Sequence, residues 1–138
     1  MTKTKLKVEA LRVLVVDDHA EVRTTILRNL KDIGFKLFDE AANIDEAFTK
    51  INTNPYNIVF LDVYMPGKTG YYLLEKCRED MRFANTAFIM VSSASERSAV
   101  IEALKAGANA FILKPVEEKS LKDYVTRIVS WLEPRIAR

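Results

Sequence analysis

Five short apolar segments alternate with five helical patterns along the 138 residues of this chain. The connections between them are short, and parallel strands need a helical crossover to return the chain to the same end of a sheet. A sheet of this kind is covered by helices on both faces. The sequence therefore predicts one doubly wound α/β domain. The predicted strands cover residues 11–16, 37–41, 58–62, 87–91 and 110–113, and the predicted helices cover residues 22–33, 43–51, 71–80, 95–106 and 117–131.

The third of these strands is the most apolar. Residues 58–61 are four consecutive apolar residues, which is typical of a strand buried on both faces, and Asp62 follows them directly. Open parallel sheets bind ligands just beyond the carboxyl ends of their strands. Taken alone, Asp62 is equally compatible with a ligand site and with a simple cap on the following loop.

Capping residues support the predicted helix ends. Asn43 and Glu46 form a capping pair at the start of the second helix, and Ser95 is a suitable N-cap for the fourth. Gly34 and Gly107 come directly after the first and fourth helices, where glycine commonly ends a helix.

The composition fits one folded domain, since 49% hydrophobic residues can bury a core, and a net charge of +2 gives no electrostatic case for nucleic-acid binding. The single cysteine, Cys77, excludes an internal disulfide and fits a reducing compartment. The sequence has no run long enough to cross a membrane, and its basic start lacks the apolar stretch of a signal peptide. We expect a soluble, cytoplasmic protein with a solvated, flexible arm at 1–10, one domain at 11–133 and a tail at 134–138.

Polar side chains follow four of the five predicted strands. Because the carboxyl ends of parallel strands meet at one edge of the sheet, we expect these side chains to converge on one cleft. The cleft would hold three carboxylates, one hydroxyl and one ammonium group. They belong to Asp17 and Asp18 after the first strand, Asp62 after the third, Ser92 after the fourth and Lys114 after the fifth.

This set of side chains favours phosphoryl transfer. Three neighbouring aspartates repel one another unless a cation lies among them, and carboxylates with a carbonyl and waters suit Mg²⁺. The metal, Lys114 and Ser92 could then stabilise charge on a phosphoryl group, with the carboxylate of Asp62 as its nucleophile. The chain has no glycine-rich phosphate loop, so we expect it to take a phosphoryl group from a donor without binding a nucleotide.

Over about residues 10–133 the chain resembles the receiver domain of bacterial response regulators, in its stand-alone, CheY-like type. The spacing agrees, because Asp62 follows Asp18 by 44 residues and precedes Lys114 by 52. The matching motifs are Val15-Val16-Asp17-Asp18, Leu61-Asp62 with Met65-Pro66 and Gly70, Val91-Ser92-Ser93, Ala106-Gly107-Ala108 and Lys114-Pro115.

The resemblance implies a (βα)5 flavodoxin-like fold with strand order 2-1-3-4-5. It further implies that Asp62 is the phosphoacceptor of a sensor histidine kinase or phosphotransfer protein in a two-component system. Asp17 and Asp18 would hold Mg²⁺ together with Asp62 and the backbone carbonyl of Tyr64.

Lys114 would pair with the phosphoryl oxygens, oriented by a cis bond to Pro115. Ser92 and Phe111 would move on phosphorylation and change the surface of the fourth helix, fifth strand and fifth helix, where a downstream protein binds. The domain would be a signalling module with self-catalysed phosphotransfer and autodephosphorylation, and not a conventional enzyme. Direct contact with nucleic acid or a membrane is not expected.

Three positions depart from the common family pattern. Tyr64 stands where asparagine is common, which predicts altered autodephosphorylation because its bulk could screen the phosphoryl group from water. Ser92 replaces the commoner threonine and keeps the hydroxyl. Phe111 lacks the hydroxyl of the usual tyrosine, so any switching there must work by packing.

Other functions stay open from the sequence alone. The chain could be the receiver part of a larger regulator or hybrid kinase, or a receiver-like module that binds partners without phosphorylation. A phosphatase with an aspartate nucleophile is disfavoured, because such enzymes carry an Asp-x-Asp signature on the first strand, whereas Asp17 and Asp18 are adjacent. For His19, a partly exposed position in the first helical turn is favoured over a proton-shuttling role.

Overall fold

A computed structural model describes residues 6–93 and 97–136 of the chain. Five parallel strands form one sheet in the order β2-β1-β3-β4-β5, which confirms the predicted fold and strand order. The strands are β1 (Arg12–Val16), β2 (Leu37–Ala41), β3 (Ile58–Asp62), β4 (Ala87–Ser92) and β5 (Ala110–Leu113). The helices are α1 (Ala20–Ile33), α2 (Ile44–Thr53), α3 (Gly70–Arg78), α4 (Arg97–Lys105) and α5 (Glu118–Ile136), and short 3-10 helices cover Val8–Ala10 and Met81–Phe83.

The sheet divides the core into two layers. Val13 and Val15 of β1 pack in one layer with buried residues of α1 and α5, whereas Leu14 and Val16 pack in the other with buried residues of α2, α3 and α4. This alternation follows the two-residue period of a strand covered on both faces. The central strand β3 is buried at all five positions, and the edge strand β2 keeps exposed positions.

The helix ends follow the capping residues. The side chain of Asn43 accepts a hydrogen bond of 2.8 Å from the backbone N–H of Glu46, and the Glu46 carboxylate accepts one from the N–H of Ala42. Gly34 takes a φ of +125° after α1, and Gly107 a φ of +101° after α4. The predicted cap Ser95 lies outside the described residues.

The described residues nearest to the two ends of the chain differ from the sequence-based expectation. Leu6 and Val8 are partly buried against the core, which a fully solvated arm would not show at these two positions. The last helix continues to Ile136, so the tail predicted from residue 134 is helical over 134–136. The guanidinium of Arg135 stabilises this end of the helix. It lies 3.9 Å from the centre of the Trp131 ring and donates a hydrogen bond to the Trp131 carbonyl.

The predicted third helix over 71–80 ends earlier, at Arg78. The carboxylate of Asp80 accepts a hydrogen bond of 2.9 Å from the N–H of Arg82 and so starts the following 3-10 helix. The guanidinium of Arg78 then donates to the Gly107 carbonyl, the Phe83 carbonyl and the Asn109 side chain at 2.8, 3.0 and 2.8 Å. This arginine joins α3 to the following 3-10 helix and to the segment between α4 and β5. No helix in the described part of the chain is both long and apolar enough to span a bilayer.

Candidate functional site

The predicted polar residues do meet at the carboxyl edge of the sheet. Asp17 follows β1, Asp62 and Ser92 are the last residues of β3 and β4, and Lys114 follows β5. All of β1, β3, β4 and β5 are parallel neighbours in the sheet, so their ends lie side by side. Asp17, Asp62 and Ser92 are buried, and Thr86 is the one other buried polar residue among those that the structure describes.

Lys114 bridges two of the buried carboxylates. Its ammonium nitrogen lies 2.9 Å from Asp17 Oδ2 and 3.3 Å from Asp62 Oδ1. Its backbone N–H donates a 2.9 Å hydrogen bond to the Ser92 carbonyl, which ties the end of β5 to the end of β4. The peptide bond between Lys114 and Pro115 is cis. The ammonium group is therefore held inside the acidic cleft by both the backbone and the side chain.

The charges of the cleft shift the pKa of Asp62. Burial and the negative charge of Asp17 raise the pKa of Asp62 to about 6, even though Lys114 opposes the rise. Burial alone would lower the pKa of Lys114, but its hydrogen bonds to the two aspartates and their charges outweigh burial and raise it. Lys114 therefore stays protonated, and Asp62 becomes ionised close to neutral pH.

His19 completes the acidic end of the cleft. Asp17 Oδ1 accepts a 2.9 Å hydrogen bond from the backbone N–H of His19. The Nδ1 atom of His19 lies 3.3 Å from this same oxygen and 3.2 Å from Asp18 Oδ1. One possible ligand atom from each of Asp17, Asp18, His19 and Asp62 lies within 4.8 Å of the others, so these four residues could hold a metal ion.

The donor set fits the implied Mg²⁺. Asp18 Oδ1 is buried and accepts no hydrogen bond from the described residues, which is costly for a carboxylate oxygen unless a cation binds it. Three carboxylates around one space also match the oxygen ligands that Mg²⁺ prefers. The arrangement is thus compatible with the predicted ion.

A close backbone approach fixes the loop after β3. A Cβ atom at Gly70 would lie 2.1 Å from the carbonyl oxygen of Asp62, so only glycine fits there. The N–H of Gly70 donates a 2.8 Å hydrogen bond to the Val63 carbonyl. In the loop between Asp62 and Gly70, Tyr64 has 58% of its surface exposed, whereas its neighbour Met65 is buried.

Tyr71, the residue after Gly70, connects this loop to α4. The hydroxyl of Tyr71 donates a 2.9 Å hydrogen bond to the carbonyl of Ala99, in the first turns of α4. Phe111 of β5 is half-buried and lines two grooves of about 440 and 200 Å³ together with Val100 and Tyr124. The inward position of Phe111 that the resemblance implies for the phosphorylated state stays a prediction.

Fold and cleft together define a receiver domain of two-component signalling. The chain belongs to the response regulator receiver domain family, which it matches over residues 13–126. It is 32% identical to the chemotaxis protein CheY of Pseudomonas aeruginosa over 118 residues, which are 86% of this chain and 95% of that protein.

Solved structures of response regulator proteins are similar to this chain in fold. A CheY-like response regulator receiver domain protein from Methanospirillum hungatei has a TM-score of 0.81 and 27% identity, over 91% of this chain and 98% of that one. A two-component system response regulator/GGDEF domain protein has a TM-score of 0.84 and 30% identity, over 91% of this chain and 51% of that longer one. The receiver resemblance drawn from the sequence motifs is confirmed.

The structure brings together the predicted residues Asp17, Asp18, Asp62 and Lys114. His19 was not among the predicted site residues, although its position directly after the acidic pair was a usable signal. No comparable signal pointed to Tyr71, because a contact between α3 and α4 depends on how the two helices pack.

Proposed function

We propose that this domain is a phosphorylation-activated switch in which Asp62 accepts a phosphoryl group from a sensor histidine kinase or a phosphotransfer protein. The observation that carries the proposal is the ammonium group of Lys114, which lies between the buried carboxylates of Asp17 and Asp62. A buried carboxylate with a raised pKa, beside a lysine at the ligand-binding edge of the sheet, is a typical arrangement for a reactive group.

The chemistry requires an ionised nucleophile. With a pKa of about 6, Asp62 is mostly ionised at neutral pH and needs no separate general base. Its carboxylate oxygen attacks the phosphorus of the donor phosphohistidine. The phosphorus–nitrogen bond breaks, its electron pair stays on the donor histidine, and an acyl phosphate forms on Asp62.

The neighbouring residues have separate tasks in this proposal. Asp17 and Asp18, with Asp62 and the backbone carbonyl of Tyr64, would hold Mg²⁺. When bound, Mg²⁺ would neutralise charge on the phosphoryl oxygens. The ammonium group of Lys114 would contribute a second positive charge at the same place.

Ser92 and Phe111 would carry the signal out of the cleft. Ser92 is fully buried at the end of β4, where its hydroxyl could donate a hydrogen bond to a new phosphoryl oxygen. A shift of Ser92 would give Phe111 room to move inward and reshape the grooves that it lines. Phosphorylation would then bias an equilibrium between two conformations by its different contacts in each.

The α4-β5-α5 surface is the proposed binding site of the downstream protein. Ile101, Leu104 and Leu113 on this surface are 42%, 53% and 47% exposed, so the surface offers apolar side chains to a partner. In this role the domain would act in the cytoplasm, where the free thiol of Cys77 is compatible with reducing conditions.

Intact mass after incubation with Mg²⁺ and acetyl phosphate tests the proposal. We expect one phosphoryl adduct in the wild type and in Asp123→Asn, an exposed control, and none in Asp62→Asn or without Mg²⁺. Absence of an adduct in the wild type, under conditions that label another receiver domain, would contradict the proposal and favour a module that binds partners without phosphorylation.

Tyr64 provides a second test. Its side chain is exposed beside the acceptor strand, where it can hinder the approach of water to the phosphoryl group. We expect Tyr64→Asn to lose its phosphoryl group faster than the wild type after the donor is removed, with Tyr64→Phe close to the wild type. An unchanged rate in Tyr64→Asn would show that the bulk of Tyr64 does not limit hydrolysis.

A further inference from the structure

We propose that His19 is an additional ligand of the cation site and gives it affinity for a first-row transition ion such as Zn²⁺ or Co²⁺. The inference deepens the proposed function, since it rests on Asp17, Asp18 and Asp62 forming a cation site. It adds a nitrogen donor, and therefore a different class of metal ion, to a set that otherwise consists of oxygen atoms.

The position of the ring carries the inference. Nδ1 of His19 lies 3.3 Å from Asp17 Oδ1 and 3.2 Å from Asp18 Oδ1. Separations of this size occur between neighbouring ligand atoms that are each about 2.1 Å from the same ion. The Asp62 carboxylate lies within the same 4.8 Å group, so an ion there could contact all four residues.

Backbone contacts hold the histidine at this place. His19 is the residue before the first turn of α1, and its N–H donates to the Asp17 carboxylate that its ring also approaches. In addition, the guanidinium of Arg23 donates a 2.6 Å hydrogen bond to the Asp17 carbonyl, which fixes the backbone on the other side. The imidazole is 57% exposed, so it can adjust to an ion without repacking the core.

The charges of the cleft also favour a cation. Asp18 Oδ1 lies 3.2 Å from Nδ1 of His19 and accepts no hydrogen bond from any described residue, although the Asp18 side chain as a whole is 25% exposed. Asp17, Asp18 and Asp62 together carry more negative charge than the ammonium group of Lys114 can balance. The imidazole nitrogen lies beside two of these three carboxylates, those of Asp17 and Asp18.

The type of ligand determines which ions benefit. Mg²⁺ takes oxygen ligands and gains little from an imidazole. Imidazole suits Zn²⁺, Ni²⁺ and Cu²⁺, and affinity for such ions rises along the first transition row for a given set of ligands. We therefore expect His19 to strengthen transition-ion binding while leaving Mg²⁺ binding nearly unchanged.

Two titrations of the full chain test this selectivity. Calorimetry with Zn²⁺ alone and with Mg²⁺ alone would compare the wild type with His19→Asn. We expect His19→Asn to lower Zn²⁺ affinity about tenfold or more and Mg²⁺ affinity less than about twofold. Asp62→Asn is the contrasting variant, because it removes a ligand shared by both ions and should weaken both.

His19 is the single histidine of the chain, so its ring nitrogens give unambiguous NMR signals. We expect Zn²⁺ to shift the Nδ1 resonance strongly and Mg²⁺ to leave it in place. An unshifted Nδ1, a shift of Nε2 in its place, or equal losses for both ions in His19→Asn would overturn the inference. If Zn²⁺ binding depends on His19 while Mg²⁺ fails to bind the wild type, the inference stands and the proposed function fails.

Discussion

Replacing Asp62 by asparagine should make the metal-free domain more stable at neutral pH, although it removes one partner of Lys114. Asp62 is only 4% exposed, and burial together with the charge of Asp17 raises its pKa to about 6 from an ordinary value of 3.8. The ionised carboxylate is therefore more costly in the folded than in the unfolded chain. After the substitution, Lys114 keeps its partner Asp17 at 2.9 Å.

The size of the effect follows from the pKa difference. One pKa unit corresponds to about 1.4 kcal/mol, so ionised Asp62 lowers the free energy of unfolding by about 3 kcal/mol. Because the folded pKa is raised, this cost is absent below pH 3.8, grows as the pH rises to about 6 and is constant above that value. This value already includes the favourable effect of Lys114 on the ionised carboxylate, so the loss of that hydrogen bond needs no separate subtraction.

Urea unfolding in the presence of EDTA, from about pH 4 to about pH 8, measures this difference. We expect Asp62→Asn to be more stable than the wild type by about 3 kcal/mol at pH 7 and to lose that advantage towards pH 4. Asp123→Asn changes an exposed carboxylate and should stay within about 0.5 kcal/mol of the wild type throughout.

Adding Mg²⁺ should reverse the order. An ion that binds only the folded chain stabilises it by mass action, and the wild type keeps one more carboxylate for it than Asp62→Asn does. A lower stability of Asp62→Asn than of the wild type at pH 7 without metal would contradict this expectation, and so would a difference between the two proteins that does not change with pH.

Three further predictions concern Gly70 beside the site, the hydrogen bonds of Arg78 and the buried thiol of Cys77. Gly70→Ala should lower the unfolding free energy by about 2–3 kcal/mol and slow labelling by acetyl phosphate, because its Cβ would meet the Asp62 carbonyl. Gly67→Ala is the control, because its Cβ would meet nothing within 4 Å, and it should cost only about 1 kcal/mol for its positive φ. Equal losses of unfolding free energy for the two glycine variants in urea would contradict this expectation. Arg78→Met should cost about 2–4 kcal/mol in the same assay because three acceptors lose their donor, and a cost near zero would mean that these hydrogen bonds do not stabilise the fold. Burial raises the pKa of Cys77 to about 12, so a disulfide reagent at pH 8 should label the folded chain about a hundredfold more slowly than the urea-unfolded chain, and comparable rates would be inconsistent with a buried thiol.

Much of the fold could be predicted because strand and helix periods differ and because each strand is short. The apolar run 58–61 could hardly belong to an exposed strand, and its central place in the sheet follows from its burial on both faces. The site was predictable for a related reason. Parallel strands bring their carboxyl ends together, so Asp17, Asp62 and Lys114 could be associated from their positions at strand ends alone.

The features that were not predicted depend on packing between segments distant in sequence. Leu6 and Val8 have no periodic pattern of their own, and their burial depends on the space that α1 and α5 leave beside them. A tail was predicted from residue 134, but Pro134 lacks only one backbone donor, and α5 continues to Ile136. Hydrophobic periodicity likewise does not reveal where the hydroxyl of Tyr71 finds its acceptor.

The hydrogen bond from Tyr71 to the Ala99 carbonyl acts as a latch between two parts of the domain. One side of the latch is the loop that Gly70 holds against the Asp62 carbonyl, and the other side is the beginning of α4. One such bond is worth about 1 kcal/mol, which changes an equilibrium between two helix positions less than tenfold. In the proposed switch, the latch would be strong enough to favour one position of α4 at rest and weak enough for a new charge on Asp62 to open it.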